Sequence, residues 1–184
     1  MSTTTRVAPL RDDEMNDEQR AVAKEIAGAR GGVLGGPFAI WVRDAELAKR
    51  INVLSDRLRK NSGLEKRLLE LLVLVVTQQW KANYAWSAHA RQALELGVAP
   101  EVVEAIRAGT PPPFARDDER LIVEVVSELV RTHALSDATY TRALEALGLD
   151  LLIELVTSAG LYTMISMTLA VFDVPPHSGE AAFA

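Results

Sequence analysis

The chain contains no cysteine. That removes thiolate nucleophiles, disulfides and cysteine metal ligands, and it leaves the redox compartment open. Only three histidines occur, at positions 89, 133 and 177. They lie far apart, and no His-x-x-x-His or carboxylate cluster stands at ligand spacing, so no metal site is expected. A Gly-x-Ser-x-Gly elbow is missing. Gly31–Gly36 is not followed by Lys-Ser/Thr or preceded by a strand pattern, so it does not read as a phosphate loop. Positive charge is not concentrated either. The densest basic stretch, Arg57–Lys60 with Lys66 and Arg67, is interleaved with Leu58 and Leu64 and reads as a solvated helix face. With a net charge of −5, that pattern argues against nucleic acid as a partner. The polar stretch Met1–Asp13 lacks the apolar core of a signal peptide, which gives a cytoplasmic location as the default expectation.

What is present fits a folded globular chain. Hydrophobic residues make up 48% and charged residues 24% of 184 positions, enough to bury one substantial core. No segment alternates polar and apolar residues for long enough to make a sheet, so the fold class is all-α. After an extended, mobile arm over residues 1–13, Asn16 or Asp17 caps a helix through Arg30. Four glycines within 31–36, closed by Pro37, are either a linker or a loop whose backbone passes close to something. Base rates favour the linker, but Phe38, Ile40 and Trp41 follow at once, and a bare linker has no use for them. Leu47, Ile51, Leu54 and Leu58 mark a helix to Lys60, and Ser62 is a candidate cap for the next, Leu64–Trp80. Further helices are expected over 83–96, 100–107, 116–133, 136–148 and 151–172, roughly seven or eight in all. The stretch Leu151–Phe172 is long enough to test for a membrane span. It carries Glu154 and several Ser and Thr residues, so a buried core helix is expected and no membrane association. The chain divides into an N-terminal arm, helix and Gly-rich loop (1–36), a helical domain (37–176) and a tail (177–184).

Two residues stand out for chemistry. Glu70 is the one polar residue between Leu68 and Val76, so its carboxylate is expected to be buried, and a buried carboxylate needs a partner. It is either a structural acid held by a backbone amide, an arginine or a neighbouring chain, or an acid tuned for proton transfer. His89 shares a helix face with Ala85, Trp86 and Ala93, small neighbours that leave an imidazole reachable. The bland alternative is a core histidine bonded to Tyr84, Trp86 or a carbonyl. His133 and His177, at a helix end and in the tail, are taken as solvent-facing.

The stretch LLELLVLVVTQQWKANYAWSAHARQALEL (68–96), continued by Gly97-Val98 and Pro100–Ile106, resembles the core helical pair of the carboxymuconolactone decarboxylase and alkyl hydroperoxidase D-like family. Gly36–Trp41 with Glu46-Leu47-Ala48, and Ser136–Tyr140 with Leu161–Met164, are similar to recurrent phrases of one subgroup, so the resemblance spans about residues 7–176. Family peroxidases carry Glu, eleven residues, then Cys-x-x-Cys-x-x-x-His. Glu70 and His89 match the Glu and the His at the full spacing of nineteen, while Ala82 and Ala85 occupy the cysteine positions. Without thiols there is no peroxide reduction and no disulfide relay. The family's decarboxylases work without a cofactor and keep the His. They commonly place acidic residues shortly before it, where this sequence has Asn83 and Ala85.

The resemblance thus implies a compact helical bundle with Glu70 and His89 as an acid–imidazole pair. The pocket would be walled by Trp80, Tyr84, Trp86 and Tyr162, with Phe38 or Trp41 as further candidates. It implies cofactor-independent proton transfer on a small lactone or carbonyl acid, lyase or isomerase chemistry of aromatic-compound catabolism, and assembly as a homotrimer or homohexamer. The alternative is a non-catalytic oligomeric binding protein with a relic pocket.

Overall fold

The computed structural model describes residues 5–176 and 181–183. Among them there are eight helices and no strand. They are α1 (Asp17–Gly28), α2 (Phe38–Trp41), α3 (Ala45–Lys60), α4 (Lys66–Gln79), α5 (Asn83–Glu95), α6 (Pro100–Ala108), α7 (Asp117–Thr132) and α8 (Asp137–Val171).

Helix α4 is the axis of the molecule. Every residue from Arg67 to Thr77 is buried, and α5, α7 and α8 all pack on it. An apolar run with helix-forming Leu and no Pro or Gly tolerates being enclosed on all sides, since a helix satisfies its own backbone polar groups. The two charged residues of the buried run, Arg67 and Glu70, find partners. The Arg67 side chain donates to Glu119 at 2.6 Å, Asp118 at 2.7 Å and Glu65 at 3.1 Å, tying α4 to the start of α7. Glu70 is treated below.

The helix ends follow local rules. Asn16 caps α1 and forms a reciprocal box with Gln19, and Asp44 caps α3 through the Leu47 amide. Helix α8 is broken at Gly148 (φ 74°, ψ 167°), a conformation open to glycine and closed to L side chains, so the helices expected on either side meet at that residue.

The apolar cluster after Pro37 forms a short helical turn of its own, Phe38–Trp41, ahead of α3. Three expectations change. Ser62 does not cap α4; Glu65 stands at that N-cap without a side-chain bond, and the Ser62 hydroxyl donates instead to Glu154. The arm is not loose where it is described. Thr5 Oγ1 donates to the Phe172 carbonyl at 2.7 Å, the Arg6 amide donates to the same oxygen at 2.9 Å, and Arg43 reaches the Ala8 carbonyl. Finally, 31–37 is not a linker. Helix α1 packs on α3, and Val22 and Ile26 join the common core. Residues 1–4 and His177 lie outside the described residues.

Candidate functional site

Helix α5 turns back along α4 after a tight connection in which Lys81 takes a left-handed conformation (φ 50°). This brings Glu70 and His89 together: His89 Nδ1 lies 2.5 Å from Glu70 Oε2. Both residues are buried. With Nδ1 facing the carboxyl group, Nε2 is the nitrogen left for other chemistry; it makes no hydrogen bond among the described residues. Glu70 is therefore held within its own chain, by an imidazole rather than by a backbone amide or an arginine.

The pair opens onto a cavity of about 660 Å³, a volume that suits a small organic molecule. Glu70 and His89 form one wall with Ala85 and Tyr162, while Phe38 and Tyr84 contribute aromatic surface. The imidazole and the Tyr162 ring meet edge to face, centroids 5.1 Å apart at 89°. Tyr162 is 2% exposed, and its hydroxyl makes no hydrogen bond among the described residues. Burial pushes this phenol well above its ordinary range, Arg59 and Arg30 pull it down, and Glu70 pushes it up; the net effect is upward, so it remains a neutral O–H donor. Burial also raises the Tyr84 phenol.

The glycines of 31–36 explain how Tyr84 fits. A Cβ on Gly36 would lie 2.5 Å from the Tyr84 ring, and one on Gly35 would lie 2.9 Å from its hydroxyl. The loop backbone passes directly against the aromatic wall, which is the close approach that a glycine run permits.

The remaining expected site residues divide. Trp80 is exposed at the end of α4 and does not line the cavity. Trp86 is buried facing away from it, stacked edge-on against Phe183 at 5.0 Å. Residues 181–183 are held there by Asn83, which brackets the Phe183 backbone, and by Arg107, which donates to the Ala182 carbonyl. Trp41 lies in the core beside Phe38. Of the two alanines at the peroxidase cysteine positions, Ala85 lines the cavity and Ala82 does not. His133 is exposed at the end of α7.

Sequence reasoning missed the cationic side of the cavity. Arg30, Asp56 and Arg59 line it, with Lys60 and Lys66 at its edge. The available signal was on α3: Asn52, Ser55 and Arg59 fall at helical spacing on one face, and Asn52 and Ser55 are buried polar residues.

The fold and site define an all-helical protein of alkyl hydroperoxidase D-like fold with a buried acid–imidazole pair and no thiol. Residues 45–116 match the model of the carboxymuconolactone decarboxylase family, and the matched stretch, like the rest of the chain, contains no cysteine. Two solved structures share the fold over nearly the whole chain. One is a peroxidase-related protein from Silicibacter sp. TM1040, with TM-score 0.75 and 18% identity over 95% of this chain and 92% of that one. The other, described as an alkylhydroperoxidase AhpD core and a peroxidase-related protein, is from Ralstonia eutropha JMP134, with TM-score 0.73 and 14% identity over 94% and 92%. No curated protein matches the chain. Among the described residues, no helix is long and apolar enough to cross a membrane.

Proposed function

We propose that this protein is a cofactor-independent enzyme that moves a proton on a small lactone or carbonyl acid, by decarboxylation or isomerisation. The observation that carries this reading is the 2.5 Å Glu70–His89 contact at the wall of the cavity, with the second ring nitrogen uncommitted. A histidine in solid core would serve only packing.

In the decarboxylation arm, the bond to the departing CO2 breaks and its electron pair delocalises into the carbonyl. Protonated His89 then delivers its Nε2 proton to the carbon that accumulates charge. In the isomerisation arm, neutral His89 removes a proton from one carbon and returns it to another. Glu70 holds Nδ1 and balances the imidazolium charge. The Tyr162 hydroxyl, kept protonated by burial, donates to the oxygen where negative charge develops.

The test is an ultraviolet assay with γ-carboxymuconolactone, wild type beside His89→Ala, followed by deuterium wash-in from heavy water across a panel of enolisable carbonyl acids. Turnover or wash-in by the wild type that His89→Ala abolishes is the expected result. Activity that survives His89→Ala overturns the role of the pair. A folded wild type inert to the lactone and to the whole panel supports a binding protein instead.

The same reading includes assembly as a homotrimer or homohexamer. It is supported by Leu149, Ile153, Val156, Met167 and Val171, which form one exposed apolar stripe along the second half of α8.

A further inference from the structure

We propose that Arg59, backed by Arg30, forms an anion-binding corner of the cavity that grips a carboxylate not consumed in the reaction. This deepens the proton-transfer reading, since it takes the Glu70–His89 wall as the reacting side of the same cavity.

Three observations carry it. First, Arg59 is the one half-buried arginine that makes neither a hydrogen bond nor an ion pair among the described residues. The fully buried Arg67 has three carboxylates around it, and Arg30 donates to Asn52 Oδ1 at 2.6 Å. A partly desolvated guanidinium left without an acceptor is unfavourable, and a ligand carboxylate removes that deficit.

Second, Arg30 feels Arg59 as a like charge, and Asp56, which lines the same cavity, makes no ion pair with Arg59. Asp56 stands 3.7 Å from Arg30 Nη2 and is also paired with Lys60 at 2.9 Å. Arg30 Nη2 is buried with no hydrogen-bond partner. Burial, and next to it Arg59, act to lower the Arg30 pKa against the opposing pull of Asp56. An anion seated against Arg59 relieves this repulsion. Arg30 itself is braced from behind, its guanidinium stacked 4.3 Å over the Phe38 ring.

Third, the corner is close to the chemistry. Tyr162 lies within electrostatic reach of Arg59, Arg30 and Glu70 at once, and its ring touches His89. Arg59 and His89 line the same cavity, so an acid that fills it can meet both. The gripped carboxylate must be a spectator, because holding the departing one would stabilise the ground state and oppose loss of CO2. For decarboxylation the substrate then needs two carboxylates. For isomerisation one is enough.

The experiment measures binding, so it is independent of turnover. Calorimetric titrations would use cis,cis-muconate, a six-carbon dicarboxylate, and its uncharged dimethyl ester. The proteins would be the wild type, Arg59→Gln and His89→Gln. Arg59 bonds to nothing, so its substitution leaves the fold in place, and melting curves check this. Wild type should bind the diacid and not the ester, Arg59→Gln should weaken diacid binding by about tenfold or more, and His89→Gln should retain most of it. Equal binding of diacid and ester, undiminished binding by Arg59→Gln, or no diacid binding by the wild type would each overturn the proposal. Loss of turnover in His89→Ala with muconate binding intact separates the two readings.

Discussion

The ring of Tyr84 occupies the space that a side chain on Gly36 would need, 2.5 Å from the ideal Cβ position. Gly36 also has φ 59°, so alanine there meets both a clash and a left-handed backbone. The α1 end of the same segment is different: Gly28 has open space around its Cβ position and ends a regular helix.

These two glycines should respond to alanine with opposite signs. Gly36→Ala is expected to cost about 1–3 kcal/mol from backbone strain and overpacking, whereas Gly28→Ala should be neutral or stabilising by up to about 1 kcal/mol. Thermal melts of both variants check this. A Gly36→Ala protein as stable as wild type would mean that the loop does not press on Tyr84.

Removing the Arg67 side chain should be among the costlier changes in the molecule. Its guanidinium, 4% exposed, binds Glu119, itself 5% exposed, and it joins α4 to α7. Arg67→Ala leaves Glu119 buried without its counterion, at an expected cost of about 3–5 kcal/mol. The double variant Arg67→Met/Glu119→Leu should recover most of that loss, because no uncompensated charge remains. Chemical denaturation of the three proteins measures it. A double variant no better than Arg67→Ala would assign the loss to packing rather than charge.

How far the sequence foretold all this depended on the range of the interaction. Helix positions were legible because apolar spacing, Asn16, Asp44 and the glycine stops act within a few residues. Glu70 and His89 were legible as individuals: one was the lone acid in an apolar run, and the other was flanked by alanines. Their pairing came through the family spacing. The directions of Trp80 and Trp86 were not legible. Both tryptophans flank the α4–α5 turn, but the side facing the cavity is set by where α8 and the tail pack, and Phe183, nearly a hundred residues on, claims Trp86. The Arg59 corner was hidden for the same reason. A basic helix turn normally faces water, and only the return of α8 with Tyr162 encloses this one.

Glu154 gives a pH prediction with a definite sign. Burial raises its carboxyl, but donation from Ser62, the Gly63 amide and Arg57 outweighs burial and lowers it overall. A folded value below the unfolded one, ordinarily about 4.3, makes the ionised form stabilising above that pH. The contribution is lost as pH falls through the lower folded value. Glu154→Gln should therefore be less stable than wild type at neutral pH, by about 1–3 kcal/mol for a charged, multiply bonded acceptor. The gap should close as the pH is lowered past the carboxylate range. A gap independent of pH would show that the lost shape, and not the charge, matters.

Ile153 tests the assembly. It is 56% exposed between Leu149 and Val156 in an apolar stripe that runs on to Val171, on a helix whose opposite face is core. Adjacent α3 exposes Val53 and Leu54. Left in water, such a stripe wastes apolar area that a second copy would bury, and closed rings reuse the same surface on every subunit. The wild type should sediment at three or six times the 20.1 kDa chain mass. Ile153→Glu, placing a charge between Leu149 and Val156, should release smaller species at micromolar concentration while the helical circular dichroism signal is retained, because the residue contributes nothing to the monomer core. A wild type that sediments as a single chain, or an Ile153→Glu protein of unchanged mass, would remove this face from the interface.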